Sequence, residues 1–244
     1  MSKLRADALL VARGLAESRA KARAAIEAGG VSADGRVVAK ASVLLDEAAE
    51  LVAEPAHPWV GRGALKLVHA LDLWPIDVKD AVVLDVGAST GGFTEVCLTR
   101  GADHVYAVDV GRGQLHAKLV GDPRITNLEG TDARALTPEL IPKVPNLVVC
   151  DASFIGLAKV LPTALGLARP GASLIALIKP QFEVGPDRVG KGGLVKDAGD
   201  IQGAVEGIVA FLESTSWVVL ETAQSPITGG EGQAEFLVWA RKPG

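Results

Sequence analysis

From residue 81 onward, short apolar runs alternate with segments whose apolar positions recur every three to four residues. Val82–Val86, Val105–Asp109, Ile125–Leu128, Leu147–Asp151 and Ala172–Ile178 read as buried strands. Gly91–Arg100, Leu157–Leu167 and Ile201–Glu213 read as helices between or after them. Trp217–Ala223 and Glu235–Arg241 complete the series with no convincing helix between them, which predicts an antiparallel pair at one edge. Strands alternating with helices imply a mostly parallel seven-stranded sheet covered on both faces, an α/β architecture of Rossmann-like type. Ligands of such sheets lie at the carboxyl ends of the strands, so strand-end residues are the ones that carry chemistry.

The first 55 or so residues follow another pattern. Leu4, Leu9, Leu10 and Ala12 suggest a short helix stopped by Gly14. Ser18 suits the N-cap of a second helix, Arg19–Ala28, with Ala22, Ala25 and Ile26 on its inner stripe and Gly29-Gly30 at its end. Val31-Ser-Ala, Asp34-Gly35 and Arg36-Val37-Val38 read as strand, tight turn and strand, and Val43–Val52 is an apolar pattern broken by acids. Pro55 and Pro58 block helix in the stretch 53–62. The reading is a small α+β domain at 1–58, a linker at 59–64 and the large domain at 65–244, with Trp59 packing against one or both.

Composition narrows the class. The chain has 244 residues, 48% hydrophobic and 22% charged, with 28 Gly and 13 Pro. Its dense apolar stretches, such as Leu174–Ile178, fall well short of the ~18 residues a membrane span needs, so no membrane association is expected. The N-terminus shows no apolar signal core. Cys97 and Cys150 sit in apolar runs without metal-ligand spacing. They read as reduced thiols of a cytoplasmic protein, with no disulfide scaffold and no metal. Net charge is −4, which excludes a protein that coats nucleic acid by bulk charge. Positive charge is instead local: within the first 26 residues Lys3, Arg5, Arg13, Arg19, Lys21 and Arg23 oppose only Asp7 and Glu17.

That basic segment has an ordered set of parts: Arg5, Asp7, Leu9-Leu10, Gly14-Leu15, Ser18-Arg19, Lys21-Ala22, Ile26, Gly29, Val31 and Asp34-Gly35. The set resembles an RNA-binding domain first known from a small-subunit ribosomal protein, the fourth in conventional numbering. The resemblance implies that the second helix lays Arg19, Lys21 and Arg23 on structured RNA, with Arg5 nearby. Charge alone would fit a solvated basic face equally well.

In the large domain the first strand runs into Asp85-Val-Gly87-Ala88-Ser89-Thr-Gly91-Gly-Phe93-Thr94. Glycines there let backbone approach a ligand. Gly87 and Gly91 lack the Gly-x-Gly-x-x-Gly spacing of dehydrogenases, and the loop has no Gly-Lys-Ser/Thr phosphate signature. Asp109 ends the next strand about 20 residues on, where an acid can accept both hydroxyls of a ribose. Asp132, after the third strand, could accept an adenine amino group. Acids and glycines without a loop lysine suit a nucleoside lacking phosphates. S-adenosylmethionine is such a ligand, and its sulfonium tolerates nearby carboxylates.

Four further ionisable residues stand near buried strands: Lys66, Asp151, Lys179 and Glu235. Each singly could be a salt-bridged structural residue, since an isolated buried charge is costly. Together they are similar to the tetrad of the FtsJ (RrmJ) RNA ribose 2′-O-methyltransferases. With Trp59–Lys66, Asp85–Thr94, Asp151–Ile155 and Lys179–Glu183, essentially the whole chain resembles the TlyA family, which carries an old haemolysin label. The resemblance implies a Rossmann-like S-adenosylmethionine-dependent methyltransferase that 2′-O-methylates cytidine in ribosomal RNA. It implies Lys66, Asp151, Lys179 and Glu235 as catalytic, with Lys179 taking the 2′-hydroxyl proton. It also implies Gly87, Ala88, Ser89, Gly91, Phe93, Thr94, Asp109, Asp132 and Asp151 around the cofactor. Arg62, Arg188 and Lys191 join the RNA-binding set, the last two in a Gly-rich loop at 184–196 that could close as a lid. A monomer is expected. The competing readings are a non-catalytic ribosomal RNA-binding assembly factor, a cytolysin and a dehydrogenase.

Overall fold

A computed structural model describes residues 3–229 and 232–244. The first two positions of the segment read for a signal core lie outside the described residues. The chain forms two compact units, Met1–Pro58 and Trp59–Gly244.

The first unit contains β1 (Lys3–Arg5), α1 (Ala6–Ala12), α2 (Arg19–Glu27), β2 (Val31–Ala33), β3 (Arg36–Val37), β4 (Leu44–Asp46) and β5 (Leu51–Ala53). Ser18 Oγ accepts the Lys21 amide and starts α2, as its position predicts. Asp34 and Gly35 both take positive φ, the geometry of a tight hairpin turn, and join β2 to β3. Leu10, Ala22, Ile26 and Val31 are buried together. Two expectations are corrected. Lys3–Arg5 is a strand instead of the start of α1, because Leu4 pairs with Leu45 of β4. The 43–52 stretch divides into β4 and β5, which join different sheets; β5 pairs with β2.

The second unit contains α3 (Ala64–Leu73), β6 (Val82–Val86), α4 (Gly92–Thr99), β7 (His104–Asp109), β8 (Ile125–Glu129), β9 (Leu147–Cys150), α5 (Leu157–Leu167), β10 (Ser173–Ile178), α6 (Pro180–Glu183), α7 (Ala198–Ser214), β11 (Val218–Gln224) and β12 (Phe236–Arg241). Its seven strands are ordered β11-β12-β10-β9-β6-β7-β8. All are parallel except β12, which runs antiparallel to both β10 and β11. Alternation along a strand fills both faces: Leu174, Ala176 and Ile178 enter one apolar cluster, Ile175 and Leu177 the other. Among the described residues no helix is long and apolar enough to cross a membrane.

The expected linker at 59–64 is corrected too. Val60 is buried, its amide donates to Glu95 Oε2 at 2.6 Å, and Ala64 opens α3. The apolar spacing of Ala64, Leu67, Ala70 and Leu71 is the signal for this helix, and Pro75 follows its end.

Topology gathers the strand ends. Val86, Cys150 and Ala176 lie in register across β6, β9 and β10. Phe236 opens β12 opposite Ile178, the last residue of β10. The antiparallel insertion of β12 therefore carries Glu235 to the same edge as Lys179. Leu161 of α5 is fully buried in the core beneath that edge. Leu161→Ala should lower unfolding free energy by about 2–5 kcal/mol, read as a shift in urea midpoint.

Candidate active site at the carboxyl edge of the sheet

Lys66 projects from α3, Asp151 follows β9, Lys179 follows β10 and Glu235 precedes β12. Lys66 Nζ lies 3.0 Å from Asp151 Oδ2 and 2.7 Å from Glu235 Oε2. Lys179 Nζ lies 2.7 Å from Asp151 Oδ1 and donates to the Asp151 carbonyl at 3.1 Å and to Ser153 Oγ at 2.8 Å. Asp151 thus bridges two lysines, and the four side chains form a run of alternating charge. Lys66, Lys179 and Glu235 are buried, a position that ions hold only when paired. Glycine leaves the carboxylates room: a Cβ on Gly63 would stand 3.2 Å from Asp151 Oδ2, and one on Gly229 2.7 Å from Glu235 Oε1.

Beside this cluster, a cavity of about 560 Å³ opens at the ends of β6, β7 and β9. Gly87, Ser89, Asp109, Asp132 and Asp151 line it. Gly87 has φ +81, and a Cβ there would come within 2.8 Å of Ala152 Cα, so only glycine fits. Asp109 is held by the amides of Ser89 at 2.8 Å and Gly111 at 2.7 Å. Arg134 grips Asp132, with Nη2 2.5 Å from Oδ2, and these hydrogen bonds hold the carboxyl down at about 2. Val110, Ala133 and Ile155 add apolar wall. Acids with an apolar wall fit a nucleoside.

A second cavity, about 260 Å³, holds Lys66, Lys179 and Glu235, with Arg62, Ala88 and Phe93 also on its wall. Gly87, Ser89, Asp151 and Ser153 line both cavities. Gly91 and Thr94 line neither. Gly91, at φ +89, starts α4, and buried Thr94 donates its hydroxyl to Asp85 Oδ2 at 2.6 Å. Thr94 thus supports the loop from below.

The basic residues fall into different settings. Arg5, Arg19 and Arg23 converge on the carboxylate of Asp7. Lys21 instead pairs with Glu17 at 2.9 Å, one helical turn away. Arg62 Nη2 donates to the Thr228 carbonyl at 3.3 Å. Arg188 pairs with Asp200 at 2.8 Å, and Lys191 is exposed. The loop at 184–196 is tied at its far end, where buried Val195 donates its amide to Gln233 Oε1 at 2.7 Å. Among the described residues, no group of three or more His, Cys, Asp or Glu side chains is placed to hold a metal ion.

Sequence reasoning gave no site role to four residues that shape these sites. Asp7 gathers the arginines. Ser153, inside the quoted Asp151–Ile155 run, receives Lys179. Glu183 accepts the Leu157 amide at 2.9 Å and so caps α5, and burial raises its carboxyl above the usual range. Asp85 is wholly buried, with Oδ1 lacking any partner. Burial pushes its carboxyl up to about 7, against the pull of the Thr94 hydroxyl. A carboxylic acid on a buried strand, nine positions before a hydroxyl residue, was the available signal.

Residues 59–242 match the family described as FtsJ-like methyltransferase, and residues 4–51 match the S4 domain. The chain is 46% identical to the 16S/23S rRNA (cytidine-2′-O)-methyltransferase TlyA of Mycobacterium tuberculosis, over 97% of this chain and 89% of that protein. It is 34% identical to Hemolysin A of Brachyspira hyodysenteriae, over 96% and 98%. A solved structure from Streptococcus thermophilus, named as a hemolysin, superimposes with TM-score 0.78 at 37% identity, covering 100% of this chain and 90% of that one.

Asp85 gives a pH signature. An unfolded aspartate titrates near pH 4, and Asp85 in the folded chain near 7. Below both values it is protonated in both states. Between them only the unfolded chain ionises, so its contribution lowers stability as pH rises, by about 1.4 kcal/mol per pH unit. Above 7 the loss is complete. Urea midpoints from pH 5 to 7.5 should show that decline, and Asp85→Asn should remove it; an unchanged slope in the variant would refute the assignment.

Proposed function

The chain belongs to the FtsJ-like methyltransferases, in the TlyA group that joins an S4 domain to the catalytic one, and on that footing we propose that it methylates the 2′-oxygen of cytidine ribose in ribosomal RNA with S-adenosylmethionine. The observation that carries the reading is the wall common to both cavities. Gly87, Ser89, Asp151 and Ser153 separate a nucleoside-sized cleft from the lysine–carboxylate cluster. A methyl group delivered at that wall lies beside the groups that handle a hydroxyl proton.

When bound, S-adenosylmethionine supplies an electrophilic methyl group on a sulfonium sulfur. Asp109 takes the ribose hydroxyls of the cofactor, for which its carboxylate is already oriented by the Ser89 and Gly111 amides. Asp132 takes the adenine edge. Lys179, as the neutral amine, accepts the proton of the substrate 2′-hydroxyl. The neutral amine has two N–H donors and one lone pair; Asp151 Oδ1 and the Asp151 carbonyl accept the two N–H groups, and the lone pair is presented to the substrate hydroxyl at the position that Ser153 Oγ otherwise occupies. The ammonium formed by proton uptake is stabilised by the adjoining Asp151 carboxylate, which favours Lys179 as general base. Asp151 fixes Lys179, while Lys66, held between Asp151 and Glu235, fixes Asp151 and orients the ribose.

With Lys179 as the neutral amine the cluster carries one cation against two anions, and proton uptake brings it to no net charge. It therefore attracts the sulfonium at the outset and does not repel the alkoxide that forms as the proton leaves. Those two opposite charges cancel as the methyl moves, so a water-poor site assists the step.

The S4 unit gives the RNA reading its second support. Arg5, Arg19 and Arg23 there, with Arg62, Arg188 and Lys191 on the catalytic unit, contact phosphates, which position the substrate without reading its bases. The Gly-rich loop at 184–196, anchored at Val195, closes on bound RNA. The enzyme works where ribosomal subunits are found, in the cytoplasm.

Lys179→Ala should keep the fold and S-adenosylmethionine affinity while lowering methyl transfer to ribosomal RNA by about 10²–10⁴-fold. Tritiated methyl transfer, with 2′-O-methyl mapping at cytidines, measures this. Near wild-type turnover removes Lys179 from the chemistry. A wild-type chain that binds ribosomal RNA without transferring methyl groups would instead be an assembly factor.

A further inference from the structure

Asp7 sits in the first turn of α1 with its side chain at 0% exposure. Arg5 reaches it with two nitrogens, Nε to Oδ1 at 3.0 Å and Nη2 to Oδ2 at 3.2 Å. Arg19 reaches Oδ2 with Nη2 at 2.9 Å and Nε at 3.3 Å, and Arg23 with Nε at 3.2 Å. These contacts hold the carboxyl far below the usual range, the Arg5 hydrogen bonds most of all. The three arginine side chains remain 43%, 54% and 52% exposed. The acid is therefore covered while the cations face water.

A solvated basic face would spread its charges apart, since like charges repel. Here three guanidiniums meet at one oxygen-sized point, and the cluster keeps a net charge of two positive units. A guanidinium has five N–H donors, and Asp7 engages at most two of any one. The remainder form a compact set of donors around one place. Their rotamers are already ordered by Asp7, so an anion arriving there loses less of its binding energy to ordering them. Lys21, on the same helix, is drawn to Glu17 instead and stands outside the set.

We propose that Asp7 is a positioning residue that gathers Arg5, Arg19 and Arg23 into a seat for a single phosphodiester group. The inference rests on the RNA-binding reading and names the chemistry that this part of the chain recognises. It sets two expectations that a basic patch alone does not. Removing the negative charge of Asp7 weakens RNA binding, although it makes the protein more positive. Removing two of the arginines together forfeits the counterion release of one phosphate, not two.

The test uses the full chain and filter binding to in vitro transcribed 16S and 23S ribosomal RNA between about 50 and 200 mM salt. Asp7→Asn should weaken binding about tenfold and reduce the slope of log affinity against log salt by about one. Asp7→Glu should restore part of both. Arg19→Ala combined with Arg23→Ala should also reduce the slope by about one. Circular dichroism checks that each variant folds. If Asp7→Asn does not fold, the slope of the double arginine variant decides alone. Tighter or unchanged binding by folded Asp7→Asn overturns the seat, as does a slope loss of two in the double variant. Should a wild-type chain methylate ribosomal RNA yet show either contrary result, only the seat falls; a wild-type chain that neither binds nor methylates takes the functional reading with it.

Discussion

Asp151 shared between Lys66 and Lys179 is the interaction on which the catalytic unit turns. Without it Lys179 would lose its carboxylate and Lys66 would keep Glu235 alone, which in turn could not remain buried without Lys66. The demand reaches back into the fold. Three of the four groups leave the sheet at one edge, and the fourth arrives on α3, a helix that sequence reasoning did not assign. The single antiparallel strand matters for this reason. A parallel β12 would begin at the far end of the sheet and take Glu235 with it.

How far the arrangement was legible depends on which signals are local. Each strand and main helix after residue 81 announced itself by apolar periodicity, to within a few residues at the ends. Ser18 as a cap and Asp34-Gly35 as a turn were readable because a side chain or a positive φ acts on its immediate neighbours. Lys3–Arg5 was not, because its strand character comes wholly from pairing with β4 across some forty residues. The four ionisable residues of the cluster were singled out from strand-end positions and from a family resemblance. That Asp151 is the bridge, and Glu235 the partner of Lys66, required the register of β10 with β12.

The same limit explains Gly91 and Thr94. They stand within the glycine-rich loop, and motif membership suggested cofactor contact. In three dimensions the loop has an upper and a lower surface. Gly87 and Ser89 face the cavity, whereas Thr94 points into the core and satisfies Asp85. A motif is conservative about position but silent about direction, and only the turn of α4 separates the two roles.

Three acids in this chain, Asp7 and Asp85 buried and Asp151 partly so, meet the cost of desolvation in three ways. Asp151 lies between two ammonium groups and orients them. Asp7 lies beneath three guanidiniums and collects them. Asp85 has only a hydroxyl donor and no cation, so burial drives it toward the protonated form. The difference follows from surroundings, since the side chain is the same. It also reconciles a net charge of −4 with an anionic substrate. Asp7 is turned inward beneath three exposed guanidiniums, so the groups presented to solvent there are positive where the chain as a whole is negative. Electrostatic recognition of RNA then depends on where each carboxylate points, and the overall count of charges says little about it.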